Sequence, residues 1–274
     1  MCIRDRFFVD TPATRVAYSK YLAEITYYDN QVGQLLELLE KHDLADNTLV
    51  MVVSEQGNSF TSAKWTCYDM GLQSGMVVRW PGQVKANSTT DAMVEYVDVV
   101  PTFLAAARIA EPHGLDGKSF LRVLTGDEES HKKFSYAVHT TRGIINGSEA
   151  FGIRSIRSKN YRYILNLHPD TKFTNAVYRT DWWKEWNALA DSGDDHAKKI
   201  VNAHHYRPAE ELFDVRTDPH NQKNLANSAA LAEVRSEMRE RLLAWMHSQG
   251  DEGDATERAA HEHQWKRNKK REKK

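Results

Sequence analysis

Thr48-Leu49-Val50-Met51-Val52-Val53-Ser54-Glu55-Gln56-Gly57 decides how the fold is read. From Thr48 to Val53 the run is apolar and rich in β-branched residues, which suits a strand covered on both faces, as in a parallel sheet. A polar stretch from Ser54 to Ser74 follows. Then comes a second such strand, Gly75-Met76-Val77-Val78-Arg79-Trp80, stopped by Pro81-Gly82. Upstream, residues 12–41 read as a long helix, with Pro12 in its first turn and Leu22, Ile25, Val32, Leu36 and Leu39 at helical spacing. Residues 93–108 read as another helix, provided Pro101 lies near its start or at a kink. Helix, buried strand, strand, helix is the order of an α/β layered domain. Ligands of such sheets gather beyond the carboxyl ends of the strands. Here that end delivers Glu55 and Gln56, oxygen donors of the kind Ca²⁺ or Mg²⁺ takes, and Gly57, which lets the backbone turn away. Lys64 follows on a loop able to fold back, where an ammonium can meet an anionic substrate or a charged leaving oxygen. The same residues also suit an ordinary turn and a solvated lysine.

Composition narrows the function classes. The chain has 274 residues, 37 Lys+Arg against 38 Asp+Glu, and a net charge of -1, so bulk charge gives no argument for nucleic acid. No apolar run is long enough to span a membrane. Two cysteines, Cys2 and Cys67, make neither a disulfide scaffold nor a cysteine-rich zinc site. The opening Met1-Cys2-Ile3-Arg4-Asp5-Arg6 fits codons of a sequencing-library adapter and is set aside as an artefact.

The texture changes near residue 125. Segments 135–141, 151–158 and 161–167 alternate and are separated by turn residues, as in an antiparallel sheet with one wet face. Glu211–Val215 reads as a last strand and residues 228–247 as an amphipathic helix. The expected layout is 1–6 artefact, 7–128 α/β domain, 129–250 antiparallel-sheet subdomain, and 251–274 a charged, disordered tail. Residues 168–209, with three tryptophans, are expected to be irregular. His139 and Arg142 follow a strand of the second part and are candidates for binding an anion, Arg142 through its bidentate fork; a structural histidine and a surface arginine are equally compatible. Arg154 and Arg157, at odd spacing, fall on opposite strand faces. His204-His205 reads as exposed loop histidines.

Several stretches together resemble the sulfatase family. They are Ala23–Gly33, Leu44–Val50, Val53-Ser54-Glu55-Gln56-Gly57 with Lys64-Trp65-Thr66-Cys67-Tyr68, Val78–Gly82, Val97-Asp98-Val99-Val100-Pro101-Thr102, Leu115–Phe120, and Glu211–Val215 with Asp218-Pro219-His220. They run in order from about residue 18 to 248, and the heparan N-sulfatase-like branch is the most similar. The resemblance implies an alkaline-phosphatase-like α/β fold with a smaller C-terminal subdomain. It further implies hydrolysis of sulfate esters or sulfamates on a sulfated sugar or glycosaminoglycan, a formylglycine nucleophile, a Ca²⁺ ion, and a periplasmic or secreted location. Residue by residue, Glu55 and Gln56 take the family's metal-ligand positions, which many members fill with Asp-His or Asp-Asn. Lys64 takes that of the lysine facing the sulfate and leaving oxygen, and the analogy favours substrate contact by His139 and Arg142. The Cys/Ser-x-Pro/Ala-x-Arg nucleophile motif is absent, and Thr66-Cys67-Tyr68-Asp69 does not supply it. The expectation is therefore the C-terminal portion of a sulfatase, inactive alone. A two-metal phosphodiesterase-like hydrolase is disfavoured by the lack of an Asp-His pair at 55–56. A sugar-binding pseudoenzyme is disfavoured because the strand at 48–53 would lack sheet neighbours.

Overall fold

The computed structural model describes residues 7–141, 146–260 and 262. In chain order its elements are α1 (Pro12–Lys41), β1 (Val50–Val53), α2 (Asp69–Leu72), β2 (Met76–Arg79), α3 (Val99–Ala106), α4 (Leu121–Thr125), β3 (Ser135–His139), β4 (Ile153–Arg157), β5 (Tyr161–Asn166), α5 (Asp181–Asp191), α6 (Asp195–His205), β6 (Glu210–Asp214), α7 (Ala232–Ser248) and α8 (Asp254–Ala259). Short 3-10 turns join several of them. The chain divides into two compact units. The sheet unit takes residues up to Tyr21, Gln56–Gln73 and everything from Tyr136 on; the ribbon unit takes Leu22–Glu55 and Ser74–Ser135.

In the ribbon unit β1 and β2 pair antiparallel, Val50 opposite Arg79 and Val53 opposite Met76. This corrects the expectation of parallel strands covered on both faces. Among the described residues the two form a sheet by themselves, and a two-stranded ribbon cannot bury both faces. Val77 is accordingly 69 % exposed. The helix expected at 93–108 begins with a 3-10 turn at Tyr96–Asp98, and Pro101 falls in the first turn of α3, where its missing N–H costs nothing. Asp98 is fully buried and explains the Val97–Thr102 motif structurally. Its carboxylate accepts from the backbone N–H groups of Glu95 and Lys118, each at 2.9 Å, and from Lys132 Nζ at 2.8 Å. Burial pushes the Asp98 carboxyl up, and these donors more than reverse it, holding it below the ordinary carboxylate range.

The sheet unit carries strands in the order β3-β4-β5-β6, with β4–β5 and β5–β6 antiparallel. One core gathers Cys67, Phe151, Ile153, Ile164, Phe173 and Phe213. The helix α7 lies on β4 and β5 with Met238, Leu242 and Met246 buried. A second core is built by the stretch expected to be irregular. Thr180 and Asp194 cap α5 and α6 through their side chains, and the two helices bury Trp182, Trp183 and Trp186 with Phe8, Phe60, Ile200 and Val201. The tryptophan spacing 182, 183, 186 is therefore one helix face turned inward. His204 and His205, expected in an exposed loop, are buried on the last turn of α6. The charged stretch from residue 251, expected as a disordered tail, starts with an ordered helix. Glu257 of α8 is 1 % exposed and accepts from Thr140 Oγ1 at 2.7 Å and the Thr141 N–H at 3.0 Å. Burial of a hydrogen-bonded carboxylate is what orders it.

Candidate active-site loop

Glu55 ends the first segment of the ribbon unit, two residues beyond β1, and Gln56 opens the excursion into the sheet unit. Both are exposed. Gly57 turns the chain at φ +56°, and a Cβ there would stand 2.4 Å from the Met70 carbonyl oxygen, so this position accepts no side chain. Asn58 organises the next turn: its side chain accepts from the Phe60 N–H at 3.0 Å and its carbonyl from the Lys64 N–H at 3.0 Å. Ser62 and Trp65 both adopt positive φ, 59° and 66°, on either side of Lys64. Ala63, Thr66 and Cys67 are buried, while Lys64 is half-buried. The loop thus presents Lys64 from a closely packed frame. Gly71 closes that frame, because a Cβ there would meet the Ala63 carbonyl at 2.2 Å.

The far end of the loop is tied to the sheet. Asp69 Oδ1 accepts from Arg162 Nη2 at 2.7 Å and from Arg157 Nε at 2.9 Å, and Oδ2 accepts from Asn221 Nδ2 at 3.1 Å. Asn221 Oδ1 in turn accepts the Asp69 N–H at 2.6 Å. Burial pushes the Asp69 carboxyl up, but the two guanidinium groups and Asn221 outweigh it and hold the carboxyl below its usual range. Arg162 Nη1 also donates to the Cys67 carbonyl at 3.2 Å. Tyr68 donates to Glu211 Oε2 at 2.8 Å, and the Arg207 guanidinium lies 5.4 Å from the Tyr68 ring centre and 4.1 Å from that of Phe173. Burial pushes the Glu211 carboxyl up. None of these partners stands out in the sequence as a site; Tyr68-Asp69 directly after Cys67 is the signal that could have pointed to them.

Burial pushes the Cys67 thiol up to about 11, so it stays protonated at neutral pH and lacks thiolate reactivity. His139 ends β3 in the sheet unit. Its Nε2 is buried without a hydrogen-bond partner, and burial, aided by Arg207 and Arg154, lowers its pKa to about 4. Arg142 lies outside the described residues. Arg154 and Arg157 do point to opposite sides: Arg154 is buried and pairs with Asp251 at 2.5 Å, Arg157 with Asp69. Among the described residues no cluster of three His, Cys, Asp or Glu side chains is placed to hold a metal. Glu55 and Gln56 match calcium in donor type, as hard oxygens, and account for only part of the roughly six to eight oxygens it takes.

Comparison with known proteins agrees with this fold. The Sulfatase family model matches residues 4–109, and the model for N-sulphoglucosamine sulphohydrolase, C-terminal, matches 59–181. A solved structure described as being in complex with its substrate D-glucosamine-2-N,6-O-disulfate superposes with a TM-score of 0.63 at 22 % identity, over 85 % of this chain and 41 % of that one. The fold is thus that of the alkaline-phosphatase-like sulfatases. An ulvan-active sulfatase from Formosa agariphila is 32 % identical over 90 % of this chain and 45 % of its own length. Human N-sulphoglucosamine sulphohydrolase is 24 % identical over 87 % of this chain and 49 % of its own. The chain belongs to the sulfatase family. It spans about half the length of the curated relatives it matches.

Proposed function

We propose that this chain is the C-terminal part of a calcium-dependent sulfatase that hydrolyses sulfate esters or sulfamates on a sulfated sugar or glycosaminoglycan, in the periplasm or outside the cell. The supporting observation is the 32 % identity to an ulvan-active sulfatase across nine tenths of the chain. Glu55 and Gln56 would contribute a carboxylate and an amide oxygen to the metal. A calcium ion bound there would supply positive charge for holding and polarising a sulfate group. Lys64, braced in its loop, would place an ammonium against the sulfate and the departing oxygen, where charge develops. His139 and Arg142 would contact the sugar or its anionic groups. The formylglycine would come from a part of the enzyme N-terminal to Phe7.

The test compares the 274-residue chain alone with the same chain joined to an N-terminal part bearing a Cys/Ser-x-Pro/Ala-x-Arg motif, on ulvan oligosaccharides and N-sulfated glucosamine. The joined protein should release sulfate, lose activity on chelation and regain it with calcium. Lys64→Ala should lower kcat by about a hundredfold or more. Sulfate release by the chain alone refutes the assignment of the nucleophile, and a joined protein indifferent to Lys64→Ala refutes the role of Lys64.

A further inference from the structure

The loop bearing Lys64 is short of regular structure, yet it is anchored by groups drawn from distant parts of the chain. Arg162 sits on β5 and is 4 % exposed. It spans two loop atoms at once, the Cys67 carbonyl at 3.2 Å and the Asp69 carboxylate at 2.7 Å, while also reaching Ser155 Oγ at 3.2 Å. The planar guanidinium reaches the backbone carbonyl and the hydroxyl from Nη1 and the carboxylate from Nη2, two nitrogens held at a fixed spacing, whereas the three donors of a lysine share one nitrogen. Asn221 holds the Asp69 residue from its other side, through both its backbone N–H and its Oδ2. Asn221 itself adopts φ +53°, a conformation that glycine shares without cost.

We propose that Arg162 and Asn221 are positioning residues for Lys64, fixing the 58–69 loop so that its ammonium is presented in one orientation. The proposal deepens the functional reading of Lys64 and rests on it for its purpose, though its geometry does not. The bridging pattern argues for this over mere stability. Arg162 pins the main chain of Cys67, three residues from Lys64, and the positive φ at Trp65 lies between them, so a released Cys67 carbonyl frees the turn that aims the lysine.

The full chain is compared with Arg162→Lys, which keeps the charge and loses the fork, and with Asn221→Gly, which keeps the backbone conformation and loses the side chain. Two readouts are taken: hydrogen exchange at the amides of 58–69, and the rate at which acetic anhydride modifies Lys64 as a function of pH, with Lys20, Lys118 and Lys199 as internal references. Both variants should speed exchange in 58–69 by about tenfold, since a local opening is made easier. They should also shift the Lys64 modification profile by about threefold or more in rate, with the reference lysines unchanged. The proposal is overturned if either folded variant lowers the melting temperature while exchange at 58–69 and the Lys64 profile stay as in the parent chain. It is equally overturned if the change is spread evenly over all four lysines. If Arg162→Lys fails to fold, Asn221→Gly alone decides by the same criteria. Because neither readout requires turnover, this result is separable from the kinetic test of Lys64: a shifted profile together with an unaffected Lys64→Ala enzyme would retain the positioning and discard the sulfate contact.

Discussion

Lowering the pH should destabilise the sheet unit through His139, and the size of the effect follows from its surroundings. Burial is the main reason its pKa falls from 6.5 to about 4, with Arg207 and Arg154 adding repulsion. A base whose folded pKa is depressed binds its proton more readily in the unfolded chain. Its destabilising effect is absent above the unfolded value and accumulates as pH falls from 6.5 towards 4. At about 1.36 kcal/mol for each pH unit separating the folded from the unfolded value, full protonation of the unfolded state costs about 3 kcal/mol, of which about 2 kcal/mol is lost by pH 5. His204, held well below its ordinary value by burial and by Arg207, adds loss of the same sign. His139→Leu removes the titration, and the Nε2 it deletes has no hydrogen-bond partner to leave behind. Urea unfolding is followed at pH steps from 7 to 5 by tryptophan fluorescence, to which the buried Trp182, Trp183 and Trp186 of the sheet unit contribute. The parent chain should lose about 2 kcal/mol more than His139→Leu across that range. Parallel stability curves for the two proteins would refute the reasoning.

Further outcomes follow from individual packing sites. Trp186 is fully buried and donates from Nε1 to Thr14 Oγ1 at 2.7 Å. Trp186→Ala should therefore cost about 3–5 kcal/mol in chemical denaturation, and Trp186→Phe about a third of that. Gly71→Ala should destabilise by about 1–3 kcal/mol, since its Cβ has to displace the Ala63 carbonyl; calorimetry showing no change would contradict the stated clearance. Glu257→Ala should cost about 1–3 kcal/mol by orphaning the Thr140 hydroxyl and Thr141 N–H, and should hasten proteolytic loss of residues beyond 250.

Local pattern carries much of the architecture. The 3.6 spacing of Leu22, Ile25, Val32, Leu36 and Leu39 locates α1 within its observed Pro12–Lys41 span, and the alternating segments after residue 134 locate β3 to β5. What pattern does not supply is pairing. The apolar runs at 48–53 and 75–80 have the composition of doubly covered strands, but composition does not state which neighbours a strand has, and these two pair with each other. The tryptophans at 182, 183 and 186 share a helix face only once the helix is known, so without it they read as a loop. His204 and His205 read as loop residues for the same reason. In the candidate site, Glu55, Gln56 and Lys64 can be named because they follow a strand end. Asp69, Arg162, Asn221 and Glu211, which hold that loop, are separated from their partners by up to 152 residues and have no spacing to reveal them.

The excursion at Gln56–Gln73 leaves the ribbon unit and returns to it at one point. The Ser54 N–H donates to the Gly75 carbonyl at 2.9 Å, and the Gly75 N–H to Ser54 Oγ at 2.7 Å, directly beyond the β1–β2 pairing. In effect β1 and β2 are the arms of a hairpin whose tip has been replaced by a long insert, and the insert's ends are zipped together at its base. Closing a loop costs entropy that grows only logarithmically with its length, so the ribbon gains little from a shorter tip and loses little from a longer one. This makes the base a natural splice point. The ribbon's own pairing thus closes at Ser54 and Gly75, and it does not depend on how the insert between them is arranged.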